Sequence, residues 1–172
     1  MVLPALKIFV YGTLKRGFAN HHLMEGYAAV EDCVVVGGLL IPAHRAYPYL
    51  RIARADILAY GSADPLADLE LQARIGRSME TLGGLRAAPD GAERFAVEGE
   101  LYTYRDGREI LPRLDALEEF HPGRPPGASN YHRVLARAGR EGSRVAWVYI
   151  WPENKPLSQV EPAEPPHLWR QN

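Results

Sequence analysis

The sequence predicts an α+β fold, a mixed sheet or small β-barrel carrying two helices, rather than a doubly wound parallel sheet. Three observations predict it. Six short segments are rich in β-branched and aromatic residues or alternate with period two. Two helical patterns are inserted among them with no regular βαβ repeat. The last strand candidate is apolar on both faces, as a central or barrel strand must be.

Taken in order, Lys7–Tyr11 is β-branched and aromatic and stops at Gly12. Cys33–Val36 and Leu39–Ile41 flank Gly37-Gly38, a pair that predicts a bulge or bend within a long strand. Tyr47–Ile52 is a short strand, with Pro48 marking its start or a sheet edge. Asp64–Leu82 reads as a helix. Ser62 or Asp64 caps it, Pro65 sits in its first turn and Gly83-Gly84 stops it. In Phe95–Tyr104 the side chains of Phe95, Val97, Gly99, Leu101 and Thr103 share one face. A second helix spans about Arg108–Phe120, before His121-Pro122-Gly123. Tyr131–Ala136 and Arg144–Trp151 complete the strands, with Arg137, Arg140 and Arg144 around a charged hairpin.

With 172 residues, 47% hydrophobic and 24% charged, the chain is long enough for one domain with a sizeable core. Residues 1–151 are expected to form that domain, with a helical insert at about 54–94, and the proline-rich 152–172 an extended arm. A formal net charge of -1 argues against holding nucleic acid by bulk electrostatics. The single cysteine, Cys33, excludes an intramolecular disulfide and multi-cysteine zinc sites, and reads as a buried, inert thiol. No export signal or membrane-length apolar run is present, so the expectation is a cytoplasmic protein without membrane or nucleic-acid partners.

Two features carry chemistry. The loop Tyr11-Gly12-Thr13-Leu14-Lys15-Arg16-Gly17 follows the first strand directly. It lacks P-loop spacing, but its glycines allow close backbone approach and its successive N–H groups can form an anion-binding nest. Alone, it is read more plainly as an ordinary glycine turn. In the second helix, at ~100° per residue, Ile110, Leu111, Leu114 and Leu117 share a sector, and Glu118 falls inside it. Asp115 and Glu119 fall outside, toward solvent. A carboxylate on the apolar side loses hydration, which raises its pKa and suits it to general acid/base work. The alternative is a helix-end glutamate that reaches water or pairs with Arg113 or Arg133.

Tyr11-Gly12-Thr13-Leu14, Glu98-Gly99-Glu100-Leu101-Tyr102, Leu114-Asp115-x-x-Glu118, Tyr131-x-Arg133-Val134 and Trp147-Val148-Tyr149 occur in one order. This set resembles the gamma-glutamylcyclotransferase family. Val10–Gly17, with Asn20 and His21 behind it, resembles its gamma-glutamylamine cyclotransferase-like branch. The resemblance implies a small mixed β-barrel with flanking helices and a cavity at its mouth. It implies release of 5-oxoproline from a gamma-glutamyl amine or amino acid, with no metal or cofactor. Glu118 is then the catalytic acid/base. Tyr11, Gly12, Thr13 and Leu14 hold the glutamyl head group, and Tyr131 and Tyr149 match aromatic positions near the pocket. The substrate's own α-amine is the nucleophile, so no Ser or Cys triad is required.

Two departures from relatives stand out. The insert at about 54–94 is long, and could cap the pocket, alter the leaving group accepted or make a dimer contact. Glu119-Phe120 replaces a Gly-Tyr pair, and the Gly123–Gly127 loop beyond it is a candidate for recognising the rest of the substrate. A homodimer is left open. Among lesser candidates, His21-His22 lacks metal-ligand spacing. Lys15 and Arg16 either meet a substrate carboxylate or sit in a solvated turn. Glu98 and Glu100 face either solvent or a polar barrel mouth. Trp151 and Trp169 are expected to pack the tail onto the body. Two competing functions share the fold: a non-catalytic small-molecule binder or scaffold, and an enzyme deprotecting a gamma-glutamyl intermediate of secondary metabolism.

Overall fold

In the computed structural model, five strands close into a mixed barrel. The structure describes residues 3–42, 46–81, 95–125, 128–156, 160–162 and 169–170. The strands are β1 (Leu6–Val10), β2 (Ala29–Pro42), β3 (Tyr49–Arg51), β4 (Ile57–Tyr60), β5 (Phe95–Tyr104), β6 (His132–Ala138), β7 (Arg144–Ile150) and β8 (Val160–Pro162); the helices are α1 (Pro65–Thr81) and α2 (Ile110–Leu117). The order β2-β5-β1-β7-β6 returns to β2 through a Val35–Ala138 pairing, which closes the ring. Only β1 and β7 run parallel within it, in register at Ile8 and Trp147.

Period-two alternation gives the barrel wall two apolar faces. Phe9, Val35, Val97, Leu101, Val134, Ala136, Ala146 and Val148 fill the inside. Leu6, Ile8, Tyr102, Leu135, Val145 and Trp147 face outward and pack under Leu69 and Met79 of α1 and Ile110, Leu111 and Leu114 of α2. This two-sided burial is why β7 is apolar or aromatic from Val145 to Ile150.

Several elements differ from expectation. There is no bulge at Gly37-Gly38. Instead β2 runs unbroken and changes partner there, from β5 (Gly37 opposite Phe95) to β3 (Gly38 opposite Arg51). The glycine serves close approach, since a Cβ on Gly37 would sit 2.6 Å from the Arg51 carbonyl oxygen. The insert contributes a strand as well as a helix: β4 pairs with β6. In α1, Asp64 caps through Oδ1 to the N–H groups of Leu66 and Ala67. Gly83-Gly84, expected to stop this helix, lies outside the described residues. The tail adds β8 along β2. Trp169 is buried against Phe18, with ring centroids 5.2 Å apart, so it does pack onto the body. Among the described residues no helix is long and apolar enough to cross a membrane.

Candidate active site

Because β1 and β7 are parallel, their C-terminal ends meet at one mouth of the barrel. Antiparallel β6 begins beside the end of β7. This topology collects Tyr11 and its loop, Tyr149 and Tyr131 around a cavity of about 260 Å³. The end of α2 adds Leu117, Glu118 and Glu119, and Tyr47 and Pro48 form part of the rim. Glu118, Tyr11, Gly12, Thr13, Leu14, Tyr131 and Tyr149, separated by up to 138 positions in the chain, all line it.

Glu118 owes its place to the way α2 ends. Phe120 N–H bonds the Asp115 carbonyl and Glu119 N–H the Ala116 carbonyl, the two bonds of a Schellman stop. Glu119 takes the left-handed position, φ 50°, where glycine is usual. The reversal carries Phe120 back under the helix and leaves the Glu118 side chain at the cavity. Among the described residues its carboxyl has no hydrogen bond or ion pair. Burial alone raises its pKa to about 7. Arg133, a partner considered for it, is taken elsewhere.

Opposite Glu118, the turn after β1 is held by Lys15 N–H to Gly12 O at 3.1 Å and Asn20 N–H to Thr13 O at 3.0 Å. Asn20 Nδ2 also donates to Thr13 Oγ1, 3.0 Å away. The N–H groups of Gly12, Thr13 and Leu14 donate to no acceptor among the described residues. They form a row of free donors along the cavity wall.

Behind the site runs a buried polar chain. The Tyr149 hydroxyl donates to Asp115 Oδ1 at 2.6 Å. Arg133 Nε approaches the same oxygen at 3.0 Å, an ion-pair contact whose angle falls short of a hydrogen bond. Arg133 Nη2 lies 2.9 Å from Asp68 Oδ2 on α1 and donates to the Ser62 carbonyl. Arg133 is fully buried, with the Phe120 and Trp147 rings 5.5 and 5.2 Å from its guanidinium carbon. Gly61 is required beside it, since a Cβ there would lie 2.9 Å from Nε. Burial raises the Asp115 pKa, outweighing the opposing effect of Arg133 and of the Tyr149 hydrogen bond.

Asp115 therefore corrects the helical-wheel expectation. It is buried rather than facing solvent, because β6 supplies a cation on that flank of α2. An arginine directly before the apolar run Val134–Ala136 was the available signal.

Other placements sort themselves. Glu100 is buried: burial alone would raise its pKa, but hydrogen bonds from Arg16 and Tyr102 outweigh this and hold it below the usual carboxylate range. Lys15, read as solvated or substrate-facing, is buried and donates to the Trp169 carbonyl at 2.8 Å. His21 and His22 bond different partners, His21 toward Leu14 O and the Tyr102 hydroxyl and His22 toward Ala19 O. Cys33 is half-buried, and burial raises its thiol pKa. Among the described residues no group of three or more His, Cys, Asp or Glu is placed to hold a metal ion. Neither α1 nor β4 lines the cavity, so the described part of the insert is not a cap. Residues 123–125 do not line it either, and 126–127 lie outside the described residues.

The sequence profile of the AIG2-like gamma-glutamyl cyclotransferase family matches residues 8–73 and 70–171, nearly the whole chain. The chain belongs to this family. No curated protein matches the sequence significantly. Among solved structures, an AIG2-like protein from Mus musculus, also titled ggact, is 20% identical with TM-score 0.51, covering 98% of this chain and 97% of that one. At that identity the likeness concerns the fold, and it agrees with the barrel. YkqA from Bacillus subtilis is 17% identical with TM-score 0.48 over 86% of this chain, which spans only 36% of that protein. PH0828 from Pyrococcus horikoshii is 15% identical with TM-score 0.47, over 91% and 85% of the two chains.

Proposed function

We propose that the protein is a gamma-glutamyl cyclotransferase that releases 5-oxoproline from a gamma-glutamyl amine or amino acid. The observation that carries this reading is Glu118: an unpaired carboxyl with pKa about 7, sharing one cavity with the free amides of residues 12–14. A carboxyl poised there exchanges protons in both directions near neutral pH.

The reaction follows from these groups. The substrate α-ammonium loses one proton, and the amine lone pair attacks the γ-carbonyl carbon. A C–N bond forms and the carbonyl π electrons move onto oxygen, where the amides of Gly12 to Leu14 stabilise the charge. Glu118 accepts a second proton from the ring nitrogen and delivers it to the leaving nitrogen. The carbonyl re-forms, the old C–N bond breaks, and the leaving amine departs with the proton from Glu118, the first proton having gone to solvent. Folding the glutamyl chain into a ring-like conformer within this cavity supplies the proximity term.

The test is 5-oxoproline release from a panel of gamma-glutamyl amides. Turnover of at least one member, lost in Glu118→Gln while the fold is retained, is the expected result. A wild-type protein that binds the panel and releases nothing is a binder of the same fold, and undiminished turnover in Glu118→Gln removes Glu118 from the mechanism.

A further inference from the structure

The three phenols around the cavity differ in what they offer a ligand. A phenol carries one proton and can also accept. The Tyr11 hydroxyl donates to the Tyr149 carbonyl at 2.9 Å. Its proton is committed to the wall. The Tyr149 proton is also committed, to Asp115 Oδ1. That oxygen is a true acceptor, because Arg133 Nε approaches it from another side at 3.0 Å and leaves no place on it for a proton. Tyr149 can therefore show the cavity only a lone pair. Tyr131 is the opposite case: its hydroxyl has no partner among the described residues, so its proton is available.

We infer that Asp115 is a positioning residue that fixes Tyr149 as a hydrogen-bond acceptor, so that Tyr149 and Glu118 form an amine-binding corner while Tyr131 and the amides of residues 12–14 bind the ligand's oxygens. This rests on the cyclotransferase reading and deepens it by fixing the orientation of the substrate. The α-ammonium lies against Tyr149 and Glu118, and the carboxylate and γ-carbonyl face Tyr131 and the turn. The Asp68–Arg133–Asp115 chain gives α1 its role at a site it does not touch. It holds Asp115 in place from the far side of the wall.

Two ligands that cannot cyclise separate the corner from the rest. L-Methionine sulfone keeps the amine, the carboxylate and a sulfonyl group where the γ-carbonyl would lie. 4-(Methylsulfonyl)butanoate differs only by lacking the amine. Titration calorimetry on the full chain is expected to show tighter binding of the amine-bearing ligand by about tenfold. Tyr149→Phe should cut that preference by weakening only the amine-bearing ligand, with Glu118 keeping the remainder. Asp115→Leu should do the same, because it removes the acceptor that holds the phenol proton and lets that proton turn toward the ligand. Tyr131→Phe should weaken both ligands by a similar factor and keep the preference. If Asp115→Leu does not fold, Tyr149→Phe decides alone, since it removes a single oxygen. A preference kept undiminished in Tyr149→Phe overturns the amine corner and leaves the cyclotransferase reading standing. A wild-type protein that binds neither ligand overturns both.

Discussion

The residue proposed to do the chemistry should weaken the fold at neutral pH. Glu118 has an ordinary carboxyl in the unfolded chain, pKa 4.5, and one raised to about 7 by burial in the folded protein. The folded state therefore binds the proton more tightly. Its stability is fully present below pH 4.5, falls as pH rises, and levels off once the folded carboxyl has also ionised above pH 7. The interval between 4.5 and about 7, at about 1.4 kcal/mol per pH unit, corresponds to about 3 kcal/mol. Glu118→Gln keeps the shape and cannot ionise, so the variant should escape this loss. Urea denaturation of both proteins from pH 4 to 9 reads the difference directly. The Gln variant should gain on the wild type across that interval by about 3 kcal/mol, relative to their difference at the acid end. A difference that does not change with pH would refute the argument, because it would mean that the carboxyl is as well solvated or paired in the folded protein as in the unfolded chain. The stability gained should accompany activity lost.

Two further perturbations address the structure around the site. Arg133→Met leaves Asp68 and Asp115 buried without their cation and should cost about 3–5 kcal/mol at pH 7, measured by chemical denaturation. Replacing all three together with apolar residues of similar volume should recover most of that loss, and a cost under about 1 kcal/mol for the single change would show that the ion pairs are immaterial. Glu119→Gly relieves the left-handed backbone at φ 50° and should stabilise by about 1 kcal/mol, a rise of a few degrees in Tm by calorimetry. A fall in Tm would show that the Glu119 side chain compensates for its backbone.

The sequence by itself determined much of this protein. Strand alternation and the two-faced apolar pattern of Arg144–Trp151 specified a central or barrel strand, because a strand buried on both sides has no polar face to show. Helical phasing placed Glu118 on the apolar side, and the ordered motifs named the turn and the tyrosines that surround it. Tertiary structure decided the rest. Asp115 has the phase of a solvated residue, yet it is buried because Arg133 arrives from β6, and phase along one helix carries no information about which strand will face its flank. Gly37-Gly38 read as a bulge or bend within a long strand; the strand is long and has no bulge there, and the pair marks the point where it exchanges β5 for β3, a choice made by residues far away in the chain. Whether Tyr149 accepts or donates is likewise invisible in its own neighbourhood, because a single proton goes to whichever buried acceptor the fold brings within reach.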